Sequence, residues 1–166
     1  MKNYTYFQKH PANRTVVLVD VENGTRNPIP TVPEVQYLQT LLSDVIKDET
    51  AEYIVATGTR SYQDTAFAWR GGRVWCRGGP HGAELELLER AGDEKICDRF
   101  SNVYVVSGDH LFTEYVSELG ARGVNTTVVG WRGSVSTSLR MATNDVIYLD
   151  DLLTPVTTAI EGRQVA

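Results

Sequence analysis

Two short apolar runs in this chain end in polar clusters that contain the residues best suited to chemistry. Val16–Val19 runs into Asp20–Val21–Glu22–Asn23–Gly24, and Val103–Val106 runs into Ser107–Gly108–Asp109. An uninterrupted run of this length and composition predicts a strand buried on both faces. In open α/β sheets, ligands bind in the crevice beyond the carboxyl ends of such strands. Asp20, Asn23 and Asp109 are therefore candidate site residues. Glu84, at a predicted helix start behind Gly78–Gly79–Pro80–His81–Gly82, adds a third carboxylate to the same crevice. Three oxygen donors around one cleft suit Mg²⁺ or Mn²⁺, and such an ion can activate water and steady charge on a phosphoryl group. The competing reading is structural. Asp20 then caps or turns the chain, Glu84 favours its helix N-terminus, and Ser107–Gly108–Asp109 is a turn.

The elements that must position these residues follow from periodicity. Three prolines in Asn27–Pro33 forbid a helix there. Val35, Leu38, Leu41, Leu42, Val45 and Ile46 then recur at helical spacing, which predicts a helix from Pro33 to Lys47. Glu52–Thr57 and Arg73–Cys76 are expected strands, with a short helix from Tyr62 to Trp69 between them. Ala83 to Ala91, with Ile96 beyond, predicts the helix that carries Glu84. Leu111 to Leu119 predicts one that ends near Gly120. Val124–Val129, a short helix at Ser136–Met141 and a strand at Val146–Leu149 complete the series. Strands alternating with helices at this pitch predict an α/β fold: three layers around a mostly parallel, doubly wound, Rossmann-like sheet of five or six strands.

With 166 residues the chain is long enough for one domain with a full core. We expect an N-terminal arm over residues 1–14, a domain over 15–150 and a C-terminal tail over 151–166. The 42% hydrophobic and 22% charged content are those of an ordinary globular protein. Met1–Phe7 lacks the apolar core of a signal peptide, and no apolar run approaches membrane-spanning length. Cys76 and Cys97 have no metal or redox spacing and read as reduced thiols, so a cytoplasmic protein is expected. A net charge of −5 excludes a uniformly basic surface. It still allows a nucleic-acid enzyme, because an acidic metal site contributes negative charge of its own.

Taken in order, these pieces resemble the NYN domain family, the LabA-like branch of the PIN-like nucleases. The first strand runs into an Asp-x-x-Asn pattern, here Asp20–Val21–Glu22–Asn23. A Gly-x-Asp helix start is matched, with Glu for Asp, by Gly82–Ala83–Glu84. Ser107–Gly108–Asp109 follows the later strand, with Phe112 in the next helix, and Gly123 and Gly130 flank the strand after that. The resemblance runs from Thr15 to Leu149. It implies a PIN-like fold and a metal-dependent ribonuclease, with Asp20, Glu84 and Asp109 as ligands of Mg²⁺ or Mn²⁺ and Asn23 orienting ligand or substrate. Two positions depart from the pattern. Leu111 stands where a second aspartate usually follows Ser-Gly-Asp, and Arg90 where the helix from Glu84 usually carries another. Glu89 and Glu86 are the nearest substitutes on that helix, and His110 is a further auxiliary ligand or proton carrier.

Arg60, Arg70, Arg73 and Arg77 lie close together in sequence, with Tyr62, Trp69 and Trp75 interleaved, and Arg132 and Arg140 follow later. Arginines with aromatic neighbours can hold phosphates while stacking bases. Solvated arginines and a core Trp75 are the plain alternative. The expected partner is RNA, single-stranded or structured. A homodimer built on the aromatic arm Tyr4–Phe7 is a second expectation, equal to an arm packed on its own domain. The alternative function is an impaired domain that binds RNA or a protein without cutting, as Leu111 and Arg90 would suggest. A phosphatase is disfavoured, because Asp20–Val21–Glu22 lacks the second aspartate that aspartyl-phosphate enzymes of this sheet type use. A nicotinamide dehydrogenase is disfavoured because no Gly-x-Gly-x-x-Gly follows the first strand.

Overall fold

The computed structural model describes residues 13–153. The arm through residue 12, with Tyr4–Phe7, and the tail from residue 154 lie outside the described residues. Six strands form one sheet: β1 (Thr15–Asp20), β2 (Glu52–Thr57), β3 (Val74–Cys76), β4 (Asn102–Val106), β5 (Asn125–Gly130) and β6 (Asp145–Tyr148). Their order is β3-β2-β1-β4-β5-β6, and every neighbouring pair is parallel. The chain therefore winds outward from β1 to β3, crosses back, and winds the other way from β4. That reversal puts the topological switch point between β1 and β4.

Alternation along β1 divides the core between two faces. Val16 and Leu18 join Leu87, Phe100, Val105, Phe112 and Val116 on one face. Val17 and Val19 join Val35, Leu38, Leu42, Val55 and Val106 on the other. The first face is covered by α4 (Gly82–Asp93), α5 (Ile96–Arg99), α6 (Thr113–Ala121) and α7 (Thr137–Ala142). The second is covered by α1 (Val21–Thr25), α2 (Val32–Ile46) and α3 (Tyr62–Ala68). Full burial of each Val or Leu side chain contributes roughly 1.5–3 kcal/mol, so this central strand is also what holds the three layers together. The expected α/β, three-layer, parallel architecture is the one observed.

Local differences have local causes. α2 begins at Val32 rather than Pro33, because the Glu34 carboxylate accepts the Thr31 N–H at 2.7 Å and closes a capping box one residue earlier. The apolar spacing from Ala83 through Ile96 suggests continuous helix. The chain instead breaks at Lys95, which adopts a left-handed conformation at φ 48°, and Ile96 enters the core from the separate α5. The stretch after Asp20 is not a bare turn but the short helix α1, with Asp20 as its N-cap. The helix predicted from Leu111 is preceded by a 3-10 turn over His110–Phe112, and α6 starts at Thr113.

Candidate functional site at the sheet switch point

Asp20 ends β1 at the switch point, and its carboxylate is held from two sides. Oδ1 accepts the Asn23 N–H at 3.2 Å and so caps α1. Oδ2 accepts the Ser107 hydroxyl at 3.0 Å, from the residue that follows β4. Asn23 returns the link, its Oδ1 accepting the Gly108 N–H at 2.9 Å. A backbone donor must meet the amide oxygen, so this bond also fixes which way the Asn23 amide faces. These three bonds tie the ends of β1 and β4 together where the resemblance put both motifs.

Asp109 stands one residue beyond that link. Its Oδ1 accepts the Leu111 N–H at 2.9 Å and caps the 3-10 turn, and its own N–H reaches Ser107 Oγ at 3.2 Å. Gly108 is required by close approach: a Cβ there would fall 2.2 Å from the Ser134 carbonyl oxygen, in the loop between β5 and α7. Gly108→Ala should therefore push that loop away and loosen the Asn23 bond. We expect a cost of about 1–3 kcal/mol, as for other overpacked sites, read from the urea midpoint.

Glu84 arrives from the other face of the crevice, at the third residue of α4. Gly82 lets this helix start against the end of β3, since a Cβ at that position would lie 2.1 Å from the Arg77 carbonyl oxygen. The preceding residue, His81, takes a left-handed conformation at φ 56°. Its Nδ1 lies 3.4 Å from Asp109 Oδ2 and 3.8 Å from Glu84 Oε1. One ligand atom from each of His81, Glu84 and Asp109 falls within 4.8 Å of the others. This mixed nitrogen and oxygen set fits a divalent cation.

Asp20 lies outside that group of three and is 1% exposed. Burial, and then the charge of Glu84, push its carboxyl up to about 7, against the bonds from Asn23 and Ser107 that lower it. Glu84 is also raised, first by burial and then by Asp109, with His81 opposing. Burial is the larger cause at both residues, and the repulsion among Asp20, Glu84 and Asp109 adds to it, a repulsion that a bound cation would relieve.

Two contributors escaped the sequence reading. In sequence His81 reads only as part of a glycine-rich loop, although its three-residue spacing to Glu84 at a helix start is the available signal. Glu22 bridges the ends of β1 and β2, its Oε1 accepting the Gly58 N–H at 2.7 Å and the Thr57 hydroxyl at 3.2 Å. Its charge also raises Asp20 and Glu84. His110 sits beside Asp109 with Nδ1 3.3 Å from Oδ1, and is largely exposed.

Glu89 is engaged elsewhere, in ion pairs with Arg77 and Arg90. Glu86 is buried between the same two arginines, at 3.1 and 3.2 Å. The Arg90 guanidinium also meets Asp93 and lies over the Trp75 ring.

The arginines do not form one strip. Arg60 and Arg77 follow the carboxyl ends of β2 and β3, where they line a cavity of about 150 Å³ with Glu22 and Gly58. Arg70 and Arg73 precede β3, at the opposite edge of the sheet. Arg70 is tied there through its backbone to Gln39, and Arg73 stacks on Trp75. Arg132 is on the carboxyl side but holds Asp151 with both carboxylate oxygens at 2.6 Å. Arg140 is exposed on α7. Among the described residues, no helix is long and apolar enough to cross a membrane.

A crystal structure of a protein of unknown function from Vibrio parahaemolyticus matches this fold with a TM-score of 0.58. Its identity is 18%, and the match covers 84% of this chain and 94% of that one, a likeness of fold alone. No curated protein matches the chain. The NYN domain family model matches residues 85–150, a span that contains Asp109 and begins just after Glu84. That match supports an NYN domain in this chain, and an NYN domain points to the PIN-like nuclease superfamily.

Proposed function

We propose that this protein is a divalent-metal-dependent ribonuclease, of the LabA-like branch, that hydrolyses RNA phosphodiester bonds in the crevice between β1 and β4. The observation that carries the reading is the convergence of Glu84, Asp109 and His81 within ligating distance of one another at the sheet's switch point. A cation of the Mg²⁺ or Mn²⁺ type would supply neutralisation of charge on the phosphoryl group. Glu84 and Asp109 would hold it. Asp20, from its buried position, adds to the negative field and keeps Ser107 and Asn23 in place. The Asn23 Nδ2 hydrogens have no partner among the described residues, because Oδ1 is the atom bound to Gly108. They are available to a phosphate oxygen. Arg60, on the same side of the sheet, offers positive charge for the RNA backbone, and Arg77 beside it is already paired with Glu86 and Glu89. A cytoplasmic setting goes with this reading, Cys76 and Cys97 being free thiols.

The test is cleavage of end-labelled single-stranded and hairpin RNA by the purified protein. Metal-stripped protein in chelator should leave the RNA intact, and added Mn²⁺ should restore cutting. Turnover that persists in excess chelator, or none at millimolar Mn²⁺, sinks the reading. A second reading, an RNA- or protein-binding module without turnover, is favoured by one observation. Glu86, Glu89 and Asp93 are all committed to Arg77 and Arg90, which leaves few carboxylates free for chemistry.

A further inference from the structure

We infer that the site holds a single cation with a nitrogen ligand, His81, alongside Glu84 and Asp109, and so selects Mn²⁺- or Zn²⁺-type ions over Mg²⁺. This rests on the metal-dependent reading above and narrows it. Two donors bound at about 2.1 Å, at right or tetrahedral angles, stand about 3.0–3.4 Å apart. His81 Nδ1 lies 3.4 Å from Asp109 Oδ2 and 3.8 Å from Glu84 Oε1, so small side-chain movements bring all three onto one ion. The left-handed backbone at His81 turns the loop between Gly79 and Gly82 and aims the imidazole into the crevice. His110 is edge-on to His81, with ring centres 6.5 Å apart, and its Nδ1 lies 3.3 Å from Asp109 Oδ1. It is placed to orient the Asp109 carboxylate rather than to complete the set.

Nitrogen donors decide the selectivity. Mg²⁺ demands hard oxygen ligands and keeps its waters, whereas imidazole suits the transition metals and Zn²⁺. The limit of one ion follows from the same helix. Beyond Glu84, the next acids of α4 are held by Arg77 and Arg90, and the residue two past Asp109 is the apolar Leu111. The other two acids of the crevice are taken up by the fold, Asp20 by Asn23 and Ser107 and Glu22 by Gly58 and Thr57. Among the described residues, His81, Glu84 and Asp109 are the one group of three with ligating atoms this close.

The experiment is calorimetric titration of the metal-free chain with Mn²⁺ and with Mg²⁺, wild type beside His81→Gly, followed by pulsed EPR of the Mn²⁺-loaded samples. Glycine accepts the left-handed backbone at this position, so the variant keeps the loop, and circular dichroism checks that it is folded. We expect one Mn²⁺ per chain, bound at least about tenfold more tightly than Mg²⁺. In His81→Gly, Mn²⁺ affinity should fall about ten- to a hundredfold, Mg²⁺ affinity should hardly change, and the ¹⁴N coupling to bound Mn²⁺ should vanish. Unchanged Mn²⁺ affinity in the variant, two Mn²⁺ per chain, or no Mn²⁺ binding by the wild type would each overturn the inference. The two readings fail separately. Nitrogen-ligated Mn²⁺ without RNA cleavage keeps this site and removes the nuclease. RNA cleavage with Mg²⁺, undiminished in His81→Gly, does the reverse.

Discussion

Asp109→Asn should lower Mn²⁺-supported RNA cleavage by at least about a hundredfold while leaving the protein folded. The two halves of this expectation have different causes. The fold survives because the bond that Asp109 makes to its own chain, Oδ1 accepting the Leu111 N–H, is one an asparagine oxygen also makes. The activity does not, because Oδ2, the atom facing His81, becomes an amide nitrogen that carries hydrogens and cannot ligate. A cation's stabilisation of transition-state charge is several kcal/mol. Losing about 3 kcal/mol of it is already more than a hundredfold in rate, at 1.36 kcal/mol per factor of ten. Initial rates at saturating Mn²⁺, with urea midpoints on the same preparations, separate the two halves. Equal rates for wild type and variant would remove Asp109 from the chemistry. A collapsed midpoint would make it a structural cap.

Most of the fold was legible because it rests on one-dimensional signals. Val16–Val19 and Val103–Val106 are too uniformly apolar to lie on a half-exposed sheet, and both proved central. β2 falls at its expected bounds, because the Tyr53–Ala56 run is closed by the polar Glu52 and Thr57. What could not be read was set by contacts across the chain. Whether Asp20 ligates an ion or caps a helix depends on how deeply it is buried and on Ser107, 87 positions away. His81 reads as a loop residue until Gly82 and Arg77 bring that loop beside Asp109. The arginines between residues 60 and 77 look like one strip because they are close in sequence. A parallel strand carries its two ends to opposite edges of the sheet, so Arg73 and Arg77 part company across β3. Arg90 shows the same limit from the other side. It replaces an expected acid, and its role emerges only from the carboxylates of Glu86, Glu89 and Asp93 gathered around it.

Asp20→Asn should stabilise the metal-free protein at pH 8 and have little effect near pH 4. In the native state the Asp20 carboxyl sits at about 7, against an ordinary value near 4, because burial and the Glu84 charge both oppose its ionisation. Between those two values the folded protein keeps a proton that the unfolded chain releases, so stability falls as pH rises through that window. Below it both states are protonated and nothing is lost. Above it both are ionised and the full penalty stands, of order 4 kcal/mol for a separation of about three pH units. Glu84 is shifted in the same direction and steepens the fall.

Asparagine removes the buried charge while its oxygen still accepts the Asn23 N–H, so the variant's profile should be flatter. Urea unfolding of both proteins in chelator, at pH 4 and pH 8, measures the difference. Parallel profiles would mean that Asp20 ionises freely and that the crevice carries no stored repulsion. If the profiles diverge as expected, saturating Mn²⁺ should recover much of the wild type's deficit at pH 8 and give the variant less. The cation then relieves a cost the fold itself imposes by burying Asp20 behind Glu84 at the end of its central strand.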